Sequence, residues 1–275
     1  MLAPNYPSTR TVDVVNNNLV KNVIVSDRVS ITRMRPEHIA DIIPMSSPDG
    51  GSDPWNFSAQ MLPEVMQRFP EGQSVALVDG KVVSYAITMR TNRSPDELPL
   101  SWAAMIGDMT LKNHDSNGEW LYGVDFYVNV AYRCLGIGTK MYQARFNLVR
   151  RLNLRGMYAG GMLAGYDRYR RQMSVREYGE KVILGELEDP TVTMQMRRGF
   201  RPRAMIENYT DSESAGYAAM LIEWDNPDWR NPDYLPYLRV IPSRRTQAVH
   251  NELIRNESAP LTEGLNRNSH ALNQN

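Results

Sequence analysis

Residues 121–152 constrain the fold more than any other part of this chain, because their apolar pattern changes from a period of 2 to a period of 3.6. Apolar side chains first alternate, which predicts a strand: Val124, Phe126, Val128 and Val130. Apolar side chains then recur three or four positions apart, which predicts one face of a helix: Ile137, Met141, Ala144, Leu148 and Leu152. A strand, a tight connection and a long helix are therefore expected in that order, with Asp125 on the other face of the strand.

The connection between them is an R-x-x-G-x-G run, residues 133–138. Gly136 and Gly138 allow a sharp turn and a close approach of the backbone to a ligand. The first turn of the following helix offers unpaired N–H groups at the positive end of the helix dipole, a combination that binds phosphate. Arg133 is placed to add a positive charge. The simpler alternative is that the glycines serve only the close packing of strand and helix.

The run V-x-V-A-Y-R-C-L-G-I-G-T-K-M-Y, residues 128–142, resembles the acyl-CoA pyrophosphate motif of the GNAT N-acetyltransferases. Later segments are similar to one GNAT subgroup, whose domain is often fused to a carbon–nitrogen hydrolase: Gly160-Gly161-Met162, Glu177-Tyr178, Asp189-Pro190 and Gly199-Phe200. The resemblance covers roughly residues 29–224. We expect no hydrolase domain after it, since about fifty residues are fewer than a domain of ordinary size.

The resemblance implies an α/β (α+β) GNAT fold with helices on both faces of a mixed, mostly antiparallel sheet. That sheet would be splayed between the motif strand and the next strand, where the pantetheine arm of coenzyme A (CoA) enters. The implied reaction is direct attack of a primary amine on the thioester of acetyl-CoA. The residues implied to bind the cofactor are Val128, Arg133, Cys134, Leu135, Gly136, Ile137, Gly138 and Thr139. A backbone N–H beside Val128, at a bulge of the motif strand, would bind the developing oxyanion.

The sequence offers more than one candidate for the groups that transfer protons. Asp125 is the first candidate for the base and Glu119 the second, although either could be a carboxylate with a purely structural role. Simple members of the family carry a tyrosine acid four residues before a Gly-Phe pair, and Gln195 stands in that register here. Because glutamine cannot transfer a proton, Tyr166 is the expected substitute.

Composition narrows the class of protein. The 275 residues have a formal net charge of zero and 42% hydrophobic content, which indicates a packed core and no footprint for nucleic acid or an anionic membrane. Cys134 is the single cysteine, so no intrachain disulfide can form, and we expect it to be a small filler in the loop. The sequence has no apolar run of about 18 residues, no secretory signal in residues 1–21 and no metal-ligand spacing, so we expect a cytoplasmic, metal-free protein.

Three parts are expected: a flexible arm at 1–27, a GNAT domain at 28–225 and a partly disordered extension at 226–275. A hairpin is expected at 74–89 around Asp79-Gly80, and a helix at 55–69 that Pro63 breaks or kinks. His38 should be an exposed first-turn residue and His114 a surface loop residue. Two adjacent glycines in the strand at 156–163 suggest that a ligand or another backbone lies close to it.

Two alternatives to an acetyltransferase are kept. One is a non-catalytic acyl-CoA-binding or sensing module, which Gln195 favours. The other is a partner-binding domain in which the aromatic segment 225–242 builds a homodimer. The acceptor, a small-molecule or peptide amine, cannot be identified from the sequence.

Overall fold

The computed structural model describes residues 28–46, 56–97 and 101–232, together with the backbone of two N-terminal strands. The chain divides into a compact unit of residues 1–230 and a second unit of residues 231–275. Only two residues of the second unit are described, so most of the aromatic segment 225–242 and the predicted tail lie outside the described residues. The N-terminal strands, β1 (Val12–Asn16) and β2 (Leu19–Val23), pair antiparallel with each other.

Seven strands form one mixed sheet in the order β3-β4-β5-β6-β7-β9-β8. These strands are β3 (Val29–Arg33), β4 (Ser74–Val78), β5 (Lys81–Thr91), β6 (Trp120–Val128), β7 (Gly156–Met162), β8 (Arg201–Ile206) and β9 (Ala219–Asp225). Neighbours are antiparallel except for the parallel pair β6 and β7. The predicted mixed, mostly antiparallel α/β fold is confirmed.

The helices cover both faces of this sheet. They are α1 (Ile39–Ser46), α2 (Leu62–Arg68), α3 (Trp102–Ile106), α4 (Ile137–Arg151), α5 (Val175–Ile183) and α6 (Val192–Met196). A first core layer joins α1, α2 and α3 to the sheet, with Ile42, Leu62 and Ile106 fully buried. A second core layer lies on the face of α4, α5 and α6. Burial of apolar surface on both faces accounts for most of the fold's stabilisation.

The strands β6 and β7 part soon after they begin to pair. Their last paired residues are Tyr122 and Tyr158, after which β6 continues beside β5 and β7 continues beside β9. The expected splay between the motif strand and the next strand is thus present. It leaves a gap between the second halves of the two strands.

A bulge lies in β6, but not where it was expected. Ile87 of β5 pairs with Asp125 and Thr88 pairs with Gly123, so Val124 is an extra residue with no partner across the ladder. The prediction of a bulge beside Val128 is wrong. Since two residues share one position, Val124 and Tyr122 face the first core layer, while Phe126 and Val128 pack on the second. Val124 therefore does not share a face with Phe126 and Val128, as simple alternation had predicted.

Several local predictions can be compared with the structure. The hairpin at Asp79-Gly80 is confirmed, with φ of 50° and 80° at the two turn residues. The helix expected at 55–69 begins only at Leu62, so Pro63 lies in its first turn, where proline is tolerated, and causes no break. His38 is buried, not exposed, because its Nδ1 accepts a hydrogen bond from the Arg35 N–H.

The other histidine and the paired glycines are also held by local packing. His114 is half-buried: its Nδ1 accepts from the Arg90 N–H and its ring stacks on Phe69. Side chains lie against Gly160 and Gly161, where a ligand or a backbone had been expected. A Cβ at Gly160 would lie 2.2 Å from the Tyr209 ring, and one at Gly161 would lie 2.5 Å from Oε1 of Gln195.

Candidate active site

The glycine loop forms an open cradle at the start of α4. Gly136 is the residue before the helix and has a φ of 82°, in the left-handed region that favours glycine. Lys140 donates the first helical hydrogen bond, to the Gly136 carbonyl, so the N–H groups of Ile137, Gly138 and Thr139 precede it without a helical partner. A Cβ at Gly136 would meet no atom within 4 Å. The backbone of Gly136 therefore borders open space on the side where a side chain would project.

Side chains of the loop divide into anchors and exposed groups. Leu135 and Ile137 are buried with Met141 in the second core layer, so only their backbone can reach a ligand. Arg133 is exposed, donates from Nε to the Val128 carbonyl at 3.0 Å and lies 5.5 Å above the Tyr127 ring. Cys134 is an exposed free thiol with a φ of 61°, so it does not act as the small filler that we predicted.

Arg198, which follows α6, reaches the same loop and was missed from the sequence. Its Nη2 donates to Oγ1 of Thr139 at 2.7 Å, across the space between α6 and α4. Its Nε is buried and has no hydrogen-bond partner. The loop therefore has two guanidinium groups beside it. The sequence M-R-R-G-F at 196–200 contains no pattern that would have identified Arg198.

Asp125 lies on the first-layer face next to the bulge. Its Oδ2 accepts from the Tyr85 hydroxyl at 2.7 Å and its Oδ1 accepts from the Phe126 N–H at 2.7 Å. Burial raises the pKa of Asp125, and these two hydrogen bonds oppose that rise. The bulge is fixed from the same side by Trp102, whose Nε1 donates to the Val124 carbonyl. The arrangement is a partly buried carboxylate with a raised pKa, which suits a general base.

The other two predicted proton-transfer residues lie elsewhere. Glu119 forms an ion pair with Arg155 before the first residue of β6, at the end of the strand far from the loop. The hydroxyl of Tyr166 donates to the Met173 carbonyl, and its ring packs on Tyr178 near α5. The structure does not bring either residue together with Asp125 or with the glycine loop.

A polar cluster borders the gap between β6 and β7 on the side of α4. It consists of Tyr142 and Arg145 from α4 and Gln195 from α6, all buried. Nε2 of Gln195 donates to the Tyr142 hydroxyl at 3.0 Å. The Arg145 guanidinium lies 3.9 Å above the Tyr142 ring and 4.4 Å above the Phe126 ring. We name these three residues the gap cluster.

Arg145 is unusual in this position. It is only 3% exposed, Nη2 has no hydrogen-bond partner, and no ion pair of Arg145 occurs within the described ranges. Burial lowers its pKa, and the neighbouring Tyr142 opposes that shift. A sequence signal was available, because Arg145 stands four and eight positions after the buried Met141 and Ile137.

A small pocket opens on the opposite, first-layer face. Its lining includes Tyr122, Tyr158 and Tyr209, with Arg93 and Glu97 at the polar side. The Tyr122 and Tyr209 hydroxyls lie 2.5 Å apart, and burial raises the pKa of Tyr209 to about 12. Tyr122 is also the last residue of β6 to pair with β7, so this pocket lies where the gap begins.

Metal sites and membrane-spanning helices are both absent from the part of the chain that the structure describes. Among its residues, no group of histidine, cysteine and acidic side chains has the arrangement of a metal site. Over the same residues, no helix combines the length and the apolar character needed to cross a bilayer.

Similar proteins were found by sequence and by structure, although no protein-family model matches the chain. The "uncharacterized N-acetyltransferase YkwB" of Bacillus subtilis (strain 168) is 32% identical over 171 residues, which are 62% of this chain and 75% of that protein. The "probable hydrolase YhcX" of the same organism is 32% identical over 188 residues, which are 68% of this chain but 35% of that protein. The chain thus spans about a third of the length of YhcX.

Among the solved structures similar to this chain are two with TM-scores above 0.5. The GNAT-like decarboxylase GphF, in complex with isobutyryl-CoA, has a TM-score of 0.61 at 18% identity and covers 72% of this chain and 99% of its own. The loading GNATL domain of CurA from Lyngbya majuscula has a TM-score of 0.58 at 12% identity, with 72% and 98% covered. At these identities the likeness concerns the fold alone.

Proposed function

Because the chain belongs to the GNAT family of N-acetyltransferases, we propose that it transfers an acetyl group from acetyl-CoA to a primary amine. The observation that carries the proposal is the open cradle of three unpaired amides at the start of α4, directly beside the parting strands β6 and β7. The cradle suits the CoA pyrophosphate, and the gap suits the thioester end of the same molecule. Arg133 and Arg198 would add positive charge from two sides.

The chemistry requires a neutral amine and a path for its proton. The amine nitrogen attacks the thioester carbonyl carbon, a C–N bond forms, and the C–S bond breaks with its electron pair passing to sulfur. We assign proton removal to Asp125, since burial raises its pKa and it lies beside the bulge of β6, on the first-layer face. Tyr85 keeps this carboxylate oriented through its hydroxyl.

The acceptor would approach from the first-layer face. The pocket lined by Tyr122, Tyr158 and Tyr209 lies on that face, as does Asp125. Arg93 and Glu97 give its edge both charges. A small molecule or the end of a peptide fits such a small pocket better than a folded surface does.

A non-catalytic acyl-CoA-binding module is the second candidate. Gln195 favours it, because the family's usual tyrosine acid is absent from that register, and the Tyr166 hydroxyl is bonded to Met173. Both functions require the same cradle, so CoA binding alone does not separate them.

Calorimetry followed by a turnover assay tests both functions. We expect acetyl-CoA to bind and an amine panel to produce steady thiol release in its presence. Tight CoA binding without turnover on any amine would favour the binding module. No heat and no thermal shift at saturating acetyl-CoA would contradict both, since a bound ligand must stabilise the folded state.

A further inference from the structure

The gap cluster places a phenol between the separated strands. The Tyr142 ring packs on Phe126 of β6 at 5.2 Å. Gln195, which donates to the Tyr142 oxygen, lies over Gly161 of β7, where a Cβ would come within 2.5 Å of its Oε1. The Tyr142–Gln195 pair therefore spans the gap, just where the proposed function places the thioester.

Two donors at this point have no acceptor. The Tyr142 oxygen accepts from Nε2 of Gln195, while among the described residues its own O–H proton has no acceptor and Oε1 of Gln195 has no donor. Arg145 Nη2 is buried beside the same ring and likewise has no partner. Buried donors without acceptors cost free energy, and the cost is removed when an anion or a lone pair occupies the site. The Tyr142 hydroxyl and the Arg145 guanidinium are thus available to a group that gains negative charge.

We infer that Tyr142 is the proton donor to the sulfur of the departing CoA, and that Gln195 positions it; this rests on the proposed acyl transfer. As the C–S bond breaks, the electron pair stays on sulfur and the Tyr142 proton moves to it, which gives the free CoA thiol. The phenolate left behind is stabilised by the Gln195 N–H and the Arg145 cation, and it recovers a proton from water. The proton of the attacking amine leaves separately through Asp125.

This assignment also explains Gln195. A glutamine in that register cannot transfer a proton, but it can hold a phenol that arrives from the neighbouring helix. On this assignment the acid belongs to α4 and contacts the residue of α6 that stands in the register of the family's tyrosine.

Tyr142→Phe is the first test, because it removes one oxygen and keeps the ring. We expect kcat to fall about 100-fold or more, as for loss of a general acid, with KM for acetyl-CoA changed by less than about threefold. Tyr217→Phe is the matched control, since this tyrosine is 47% exposed, and its kcat should not change. Retention of more than about a third of kcat by folded Tyr142→Phe would overturn the assignment.

A double variant tests the shared position. Tyr142→Phe with Gln195→Tyr returns a phenol to α6, and it should recover at least about tenfold of the lost kcat. A folded double variant that is no faster than Tyr142→Phe would show that a phenol at position 195 cannot replace Tyr142 as the proton donor.

A third measurement does not depend on turnover. The pKa of the bound CoA thiol is titrated by thiolate absorbance, with an analogue lacking sulfur as the blank for Cys134. A hydrogen bond from Tyr142 to sulfur should make this pKa about one to two units lower in the parent than in Tyr142→Phe. Equal values with CoA bound would overturn the role of Tyr142 but leave the cofactor site intact. Failure of the parent to bind CoA would instead overturn the proposed function.

Discussion

Gly136 and Gly185 both have a backbone conformation that favours glycine, but only Gly136 lies at the proposed cofactor site. Both have a strongly positive φ, 82° and 75°, and a Cβ at either would meet no atom within 4 Å. Gly136→Ala and Gly185→Ala should therefore each lose roughly 1–2 kcal/mol of stability from left-handed strain. Only Gly136→Ala should weaken acetyl-CoA binding, because it adds a side chain to the residue that directly precedes the cradle amides. Calorimetry on both variants measures their affinity for acetyl-CoA. Equal affinities in the two variants would show that the cradle does not bind the cofactor.

Arg133→Ala should weaken CoA less than Gly136→Ala does. The substitution removes one charge-assisted hydrogen bond, a loss of roughly 10- to 150-fold in affinity, while the amides and Arg198 remain. Dephospho-CoA keeps the pyrophosphate, so the same substitution should weaken it by a similar factor. A larger factor for CoA than for dephospho-CoA would place Arg133 on the 3′-phosphate instead.

Tyr85→Phe should move the pH profile of the reaction. The Tyr85 hydroxyl lowers the pKa of Asp125 by donating to its carboxylate, so removing the hydroxyl raises that pKa further. A base must be deprotonated to act, and the acidic limb of kcat/KM should therefore shift to higher pH. An unchanged limb, with Asp125→Asn still active, would exclude Asp125 as the base.

At the scale of elements, the β8–β9 pair holds a titrating group that affects stability. Glu223 is 4% exposed; burial and Asp225 raise its pKa to about 7 against an ordinary value of 4.5, although Arg203 and Arg201 oppose the rise. Between these values the unfolded chain loses the proton while the folded chain keeps it. The contribution of Glu223 to the free energy of unfolding should thus be full below pH 4.5 and be lost as the pH rises through 7.

Denaturant unfolding across that pH range measures the effect. Glu223→Gln cannot titrate, so its stability curve should be flatter than that of the parent over the same range. A variant curve as steep as that of the parent would assign the pH dependence to other groups.

Gly160→Ala tests the fit of β7 against the loop that carries Tyr209. The new Cβ would lie 2.2 Å from a ring that is buried and paired with Tyr122, so the ring cannot move aside. We expect a loss of about 1–3 kcal/mol in urea unfolding, as for overpacking. In a Tyr209→Leu background the same change should cost less. An equal cost in both backgrounds would mean that the ring is not the obstacle.

How far the sequence predicts these elements depends on the range of the interactions that set them. The strand, loop and helix around Gly136 follow from local periodicity, and they were predicted. The bulge at Val124 depends on pairing with β5 and on Trp102, which residue spacing along β6 cannot reveal. Arg198 and Gln195 reach the site from another helix, so no local pattern linked them to the loop. The sequence places Arg145 as a charged residue on an apolar helix face. Its contact with the Tyr142 ring, on which its proposed role depends, is seen only in the structure.

At the scale of the whole molecule, ligand binding should raise global stability by mass action. At a free acetyl-CoA concentration 100 times Kd, the free energy of unfolding should rise by about 2.7 kcal/mol. Thermal unfolding with and without ligand measures it, and Gly136→Ala should lose most of the rise at the same concentration. A full rise in that variant would place the ligand outside the cradle.

A homodimer built by residues 225–242 stays a prediction, because most of that segment lies outside the described residues. Light scattering on the full chain decides it. A monomer at working concentration would exclude that arrangement.

The extra residue in β6 has a consequence for length changes in this chain. Side chains along a strand alternate between its two faces, so deleting one residue normally moves every side chain beyond it to the opposite face. Val124 is the spare residue of its bulge, so its deletion would leave Tyr122 and Asp125 on the faces they now occupy. A deletion at 126, 127 or 128 could be absorbed only by closing the same bulge, which would turn Asp125 to the opposite face. The motif strand should therefore tolerate being shortened at one position, the one beside its candidate base.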